Sequence, residues 1–519
     1  MNKFAKIIIV FTTISAAIME LIDASIVNVA LSNVAGNLGA TIEDVSWVIT
    51  AYAIANVIII PMTGFLAQYF GRKNYYLYSI ILFTLASIMC GNSTSLWELV
   101  FWRFIQGIGG GALLSTSQAI LFDTFPISQR GVASAMFGVG IVMGPTLGPT
   151  VGGLIIDHYS WPLIFNINIP FGILATALTY FFVEDSVHHT TKPSIDWTGI
   201  LLLSVGVGSL QFVLERGEAH DWFADESIRI ATVSAIASVI GFIWWELKTA
   251  EPVVNIRLFK DPNLTLTTLL TFVSGFALFT SVFVYPLLLQ RVLGYTPTMV
   301  GMSLLPSALA SMVVMPIVGK RLQAGDSPKI FITVGFMIVM VYGWMLYTRC
   351  DLNVGMSDFF LPLMVRTVGI SMMAVTLTNQ AVVGLSPRDI PQGVALNNMM
   401  RQLGGAFGIA IMNTYIAQRF AIHKNDLITN ITAGSQLFTE RNAALMQGVG
   451  SKLAVTANAQ QQAYQLLDLT VTKQAYLLTY MDGFLFATMA VLAVFPLIAG
   501  LRNKKLSAEE MKIASESSH

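Results

Sequence analysis

Apolar stretches of about 20 residues recur from Ala5 to Leu501, each closed by a polar loop that is short with one exception. A helix crossing a bilayer needs roughly 20 apolar residues, so each stretch reads as a transmembrane helix. A window of about 19 residues places spans at 7–33, 46–69, 75–92, 95–122, 131–156 and 163–183. Further spans follow at 198–214, 228–247, 264–289, 298–319, 328–347, 358–385, 393–419 and 476–500. The pattern predicts an all-α polytopic membrane protein with fourteen transmembrane helices. The seventh span, short and interrupted by Gln211, carries the weakest signal. Without spans seven and eight the count is twelve, and the sidedness of both termini is unchanged.

The apolar run after Lys6 is longer than a signal-peptide core, and no small-x-small cleavage site precedes Glu20, so it reads as a retained first span. Short loops on the side of the N-terminus, with both terminal segments, hold seventeen Lys and Arg, among them Arg72, Lys73, Arg130, Lys320 and Arg321. The opposite short loops hold four: Arg216, Arg229, Arg291 and Arg349. Cytoplasmic loops carry the excess of positive charge, which predicts both termini in the cytoplasm. The long polar segment 420–475 then falls outside, and its stretch Asn458 to Leu469 has amphipathic helix character. An external helical hairpin and a mobile loop both fit it.

Composition narrows the function. The chain is 55% hydrophobic and only 11% charged, against about 25% charged residues in soluble domains. Its formal net charge is zero, so no basic field exists to attract nucleic acid. Cys90 and Cys350 are the only cysteines; they read as buried free thiols and form no zinc site of the usual spacing. The Gly-x-Gly at Gly107 to Gly109 opens no strand-turn-helix unit, and no glycine-rich loop ends in Gly-Lys-Ser/Thr. Neither a dinucleotide cofactor, nor a metal, nor ATP as power source is expected.

An internal repeat organises the spans. Pro61-Met-Thr-Gly64 ending span two is echoed by Pro316-Ile-Val-Gly319 ending span ten. Pro126 and Gly131-Val-Ala before span five are echoed by Pro387 and Gly393-Val-Ala before span thirteen, and Arg103 by Arg366. The chain therefore divides into a first six-helix bundle (1–186), two linker helices (187–262), a second six-helix bundle with the external segment (263–503) and a tail (504–519). Duplicated halves around a midplane site are a transporter architecture.

A charge at the bilayer centre costs about 2.5–3.5 kcal/mol on insertion scales, which singles out Glu20, Asp23, Arg103, Arg366 and Arg401. Glu20 and Asp23 are three apart, on one helical face. Two close carboxylates in a low dielectric repel each other, which favours keeping one proton between them. Asp23 is the first candidate proton carrier and Glu20 the second; the competing reading is a structural ion pair with Arg103. Span five carries Gly138, Gly140, Gly144, Pro145, Gly148, Pro149, Gly152 and Gly153. Its spaced glycines allow close helix approach and its prolines bend the helix, as a hinge, a seal or plain tight packing requires.

Taken together these motifs resemble the fourteen-span drug:proton antiporters of the major facilitator superfamily, especially the EmrB type of multidrug exporter. The resemblance rests on Leu21 to Leu31 in span one, Gly64-Phe-Leu66-Ala-Gln68-Tyr-Phe-Gly71-Arg72-Lys73 after span two, and Leu99 to Gly107 in span four. It rests also on Gly140 to Gly153 and on Trp161 to Gly172. It implies two six-helix bundles plus two central helices. It further implies proton coupling through Asp23 with Arg103, a conformational role for Gly64, Gly71 and Arg72, and antiport favoured by Gly144, Pro145, Gly148, Gly152 and Gly153. Two departures stand out: Gln68 replaces the usual Asp of the loop motif, removing a charge partner, and Glu20 stands where a neutral polar residue is expected.

The implied function is proton-coupled export of lipophilic drugs or related amphipathic compounds across a bacterial inner membrane. A dedicated exporter of one metabolite, such as a fatty acid or siderophore, and a proton-independent facilitator are the alternatives. The proton is the coupling ion and no other cofactor is implied. A periplasmic adaptor and outer-membrane channel are implied partners, docked through the external segment. Asn28, Gln106, Asn379, Asn398 and Arg401 are candidate substrate contacts. Spans nine to thirteen hold no acid well inside the membrane, which favours neutral, anionic or weakly charged substrates over dications.

Overall fold

The computed structural model describes residues 3–126, 129–184, 194–386, 389–429, 431, 436–450 and 459–501. Pro387, the start of the amphipathic stretch at Asn458 and the tail lie outside them. The first half comprises α1 (Lys3–Leu38), α2 (Ile42–Val45), α3 (Trp47–Phe70), α4 (Arg72–Gly91), α5 (Leu96–Thr124), α6 (Arg130–His158), α7 (Leu163–Asn166) and α8 (Asn168–Phe182). A hairpin of α9 (Trp197–Arg216) and α10 (Glu226–Lys248) follows. The second half comprises α11 (Pro262–Leu287), α12 (Pro297–Gln323), α13 (Pro328–Arg349), α14 (Phe360–Gln380), α15 (Ile390–Thr429), α16 (Gln436–Gly450), α17 (Ala459–Leu492) and α18 (Phe495–Gly500).

Local chemistry sets many of the helix starts. The side chains of Ser95, Asp196, Asp225, Asp261 and Thr296 each accept a hydrogen bond from a backbone N–H of the turn that follows. Such caps satisfy donors that have no partner inside the helix. Pro262, Pro297 and Pro328 occupy the first turn of their helices, where a missing N–H costs nothing.

Twelve helices are long and apolar enough to cross a membrane among the described residues. The two expected spans outside that set are α5 and the first part of α15. Both are polar for a reason: Arg103, Gln106, Ser115, Ser117, Gln118, Asn397, Asn398 and Arg401 are all buried against other helices. Polar groups inside a membrane face the bundle interior, so hydropathy alone undervalues these two helices.

Three boundaries differ from expectation. Span six is interrupted at Ile167, splitting it into α7 and α8. Helix α15 runs ten residues past the expected end, to Thr429, and α17 begins at Ala459 rather than 476. The described part of 420–475 is thus largely helical, with α16 packed on α17. A polar sequence continues a helix readily once it leaves lipid, and a hydropathy window stops at the lipid edge.

Within the first half α3 packs on α5, α4 on α5 and α8, and α1 on α6; within the second α11 packs on α15, α13 on α14 and α12 on α14. The halves meet along α6 against α12 and α3 against α15, and α9 lies against both α3 and α15. The repeat is visible in this seam. Gly64 on α3 abuts Gln392 on α15, while Gly319 on α12 abuts Gly131 on α6. Each Pro-x-x-Gly segment thus meets the start of the Gly-Val-Ala helix of the opposite half, at the end of the molecule that carries the N-terminus. There Phe122 and Ala133 also pack with Val382, Ile390 and Val394.

Candidate functional site: a buried carboxylate network

Helix α1 places Asp23 with no exposure to solvent, facing α5. Arg103 Nη1 donates to Asp23 Oδ2 at 2.6 Å and to Gln106 Oε1 at 2.8 Å, and its Nε donates to the Val48 carbonyl at 3.2 Å. The guanidinium carbon lies 4.0 Å from the Tyr52 ring centroid, a favourable cation–π arrangement. The second carboxylate oxygen of Asp23 accepts from Gln106 Nε2 at 3.0 Å and from Asn168 Nδ2 at 2.7 Å. Both amides also donate to Ser87 Oγ, at 3.1 and 3.0 Å, and Ser87 donates to the Phe165 carbonyl at 2.9 Å. Six helical segments, α1, α3, α4, α5, α7 and α8, therefore contribute to one network around this carboxylate. Buried ion pairs persist when further hydrogen bonds satisfy their remaining donors and acceptors, and here both carboxylate oxygens and the guanidinium Nε and Nη1 are bonded.

Glu20 is built differently. It is 5% exposed, and Oε1 accepts from Asn56 Nδ2 at 3.0 Å and from Tyr52 Oη at 3.3 Å. Its Oε2 has no hydrogen-bond partner. One oxygen of a buried carboxyl is thus left to take a proton or a solute hydrogen bond. Tyr52 joins the two sites, its hydroxyl on Glu20 and its ring under Arg103.

The other candidates separate into groups. Gly144, Gly148 and Gly152 face Leu21, Ser25 and Ile26 of α1, and a side chain at Gly148 would collide with Ser25. Gly153 faces Thr298 of α12 instead, so α6, with Pro145 and Pro149 inside it, serves both halves. Gly71 joins α3 to α4 with φ of 86°, a conformation that favours glycine. Beside it Arg72 pairs with Asp123 at the end of α5. The partner lost through Gln68 is thus supplied from another helix.

Asn28 is exposed and Asn379 half-buried, apart from the Asp23 network, whereas Gln106 lies inside it. Asn398 Nδ2 donates to Gln118 Oε1 at 3.1 Å and Ser115 Oγ at 3.2 Å, across the seam between halves. Arg401, buried at 8% exposure, reaches Thr378 at 3.5 Å through Nη2. Cys90 and Cys350 are buried free thiols. Among the described residues no group of His, Cys, Asp and Glu is arranged to hold a metal.

Sequence reasoning missed Tyr52, Asn56, Ser87, Asn168 and Asp123. Only Asn168 carried a signal, as part of the Trp161 to Gly172 motif.

Paired bundles around buried charges define a multi-pass membrane transporter rather than an enzyme. The chain belongs to the Major Facilitator Superfamily, whose family model matches residues 13–409. It is 32% identical over 496 residues to the multidrug export protein EmrB of Escherichia coli strain K12, covering 95% of both chains. It is 30% identical over 485 residues to the fatty acid resistance protein FarB of Neisseria gonorrhoeae, covering 93% of each. Among solved structures, the proton:xylose symporter XylE aligns with a TM-score of 0.61 at 12% identity, over 99% of both chains. At that identity the likeness speaks for the fold alone.

Proposed function

We propose that this transporter exports lipophilic drugs or related amphipathic compounds from the cytoplasm in exchange for protons, by alternating access. The observation that carries the coupling is the juxtaposition of an Asp23 carboxylate whose two oxygens are both bonded, one of them to Arg103, with a Glu20 carboxyl that has one unbonded oxygen. The relatives EmrB and FarB, named for multidrug export and fatty acid resistance, support the direction of transport and the lipophilic cargo. Protonating Asp23 or Glu20 removes a charge that holds Arg103 and Tyr52 in place, so proton occupancy and helix packing are linked.

The rocking motion separates the halves where they now meet beside the N-terminus, at Gly64 on Gln392 and at Phe122 and Ala133 on Val382 and Ile390. Helix α6, glycine-faced toward α1 and packed on α12, is the element about which the halves turn. A membrane potential of 100 mV supplies about 2.3 kcal/mol per charge moved, enough with a modest pH gradient to drive roughly hundredfold accumulation by one proton. The membrane is the bacterial inner membrane with both termini cytoplasmic. The helical extension of α15, α16 and α17 then lies outside, where a periplasmic adaptor leading to an outer-membrane channel docks.

Export of a single class of amphipathic metabolite is the second reading, favoured by the likeness to FarB. The test is dye and drug accumulation in cells expressing the chain. Wild type lowers accumulation and an uncoupler abolishes the effect; Asp23→Asn behaves as the empty vector. Export unaffected by both the uncoupler and the substitution would refute proton coupling.

A further inference from the structure

Helices α11 to α14 contain no Asp or Glu, yet the second half buries Arg401 inside the membrane at 8% exposure. Among the described residues no carboxylate oxygen lies within salt-bridge reach of it. Its Nη1 has no hydrogen-bond partner, and the one bond of its Nη2, to Thr378, is long at 3.5 Å. A buried cation without a counter-ion is expensive, and the surroundings do not relieve it.

The neighbouring groups share its character. Asn398, three residues earlier and so on the same helical face, is bonded to Gln118 of α5 on the opposite half. Gln118 Nε2 also lacks a partner. Two unsatisfied donors, one carrying a full positive charge, therefore border the seam between the halves, with Thr378 beside them. A guanidinium and one amide are enough to hold a carboxylate through charge-assisted contacts.

We propose that Arg401, with Gln118, is the counter-ion site for a lipophilic substrate carrying one carboxylate or a comparable single negative charge. The inference rests on the export reading and names the substrate class. Because α15 supplies the arginine and α5 the amide, an anion bound there touches both halves, and its arrival changes the contacts that rocking must break. Charge also fits: the site neutralises an anion without using Asp23 or Glu20, leaving both free to exchange protons.

The test is binding to the full chain in lipid nanodiscs, using naphthoate and its uncharged carboxamide, naphthamide, as probes. Wild type binds naphthoate about tenfold more tightly than naphthamide, the scale of one desolvated charge-assisted contact. Arg401→Gln binds the two alike at the naphthamide level, and Arg401→Lys retains part of the preference. Thermal melting guards against misfolding: without probe, Arg401→Gln melts no lower than wild type, and naphthoate raises the melting point of wild type only.

Equal binding of both probes by wild type, binding of neither, a preference that survives in Arg401→Gln, or a variant that melts well below wild type would each overturn the site. The export reading is checked separately by cellular accumulation of the neutral dye Nile red. Nile red export alongside failed probe binding removes the anion site alone, and loss of dye export strikes the export reading itself.

Discussion

Arg103 in the first half and Arg366 in the second occupy echoed positions in helices α5 and α14, and their surroundings part company. Arg103 meets the carboxylate of Asp23 at 2.6 Å, with Gln106 one turn on. Arg366 Nη1 donates instead to the Ser281 hydroxyl at 2.9 Å, its Nε has no partner, and Gly369 stands one turn on. Even the aromatic neighbour is looser, Tyr342 at 5.9 Å against Tyr52 at 4.0 Å. Duplication has thus kept the arginine in both halves while the acid and its supporting amides stand in one. The first half holds a buried arginine paired with an acid, and the second holds Arg366 and Arg401 buried without one among the described residues.

The largest effect that breaks this contrast is Arg103→Gln. It strands the Asp23 carboxylate and is expected to cost about 3–5 kcal/mol with loss of export, whereas Arg366→Gln costs under about 1 kcal/mol, because no buried counter-ion is abandoned. Melting of both purified variants measures the difference. Moving the acid, Asp23→Ser with Ser281→Asp, is expected to leave export at the level of Asp23→Ser alone, since Gln106 and Asn168 have no counterparts around Arg366. Restored export in that double variant would make the two halves interchangeable.

Glu20→Gln keeps an oxygen for Tyr52 and Asn56 but cannot exchange a proton. Export is expected to fall by roughly a hundredfold, the low end of what one proton-transfer group contributes, and to lose part of its dependence on external pH. The smallest effect belongs to the loop beside Gly71. Asp123→Asn removes the partner of Arg72, a pair with the carboxylate 38% exposed, so stability falls by about 0.5–1 kcal/mol and export by no more than severalfold.

Helices were legible in the sequence because lipid allows few alternatives: every backbone group must be bonded internally. Their ends were less so, as α15 and α17 show by running beyond lipid where hydropathy is blind. The charged members of the site stood out by their cost, and Glu20, Asp23, Arg103 and Arg401 are all buried as charged outliers in a membrane helix must be. The neutral members did not, since Ser87, Tyr52 and Asn56 are inexpensive in a membrane and become informative only through their partners. Likewise Gln68 was readable as a lost charge, but Asp123 lies far along the chain and only the fold brings it to Arg72. The echo of Arg103 in Arg366 was legible; that its partner is Ser281 was not.

Proton movement in proteoliposomes tests the central claim most directly. Lipophilic substrate added to wild-type vesicles under an imposed pH gradient should trigger proton flux opposite to substrate flux, and Asp23→Asn should abolish it while the protein remains folded. Substrate transport without proton movement in wild type, or undiminished proton movement in Asp23→Asn, would contradict the account.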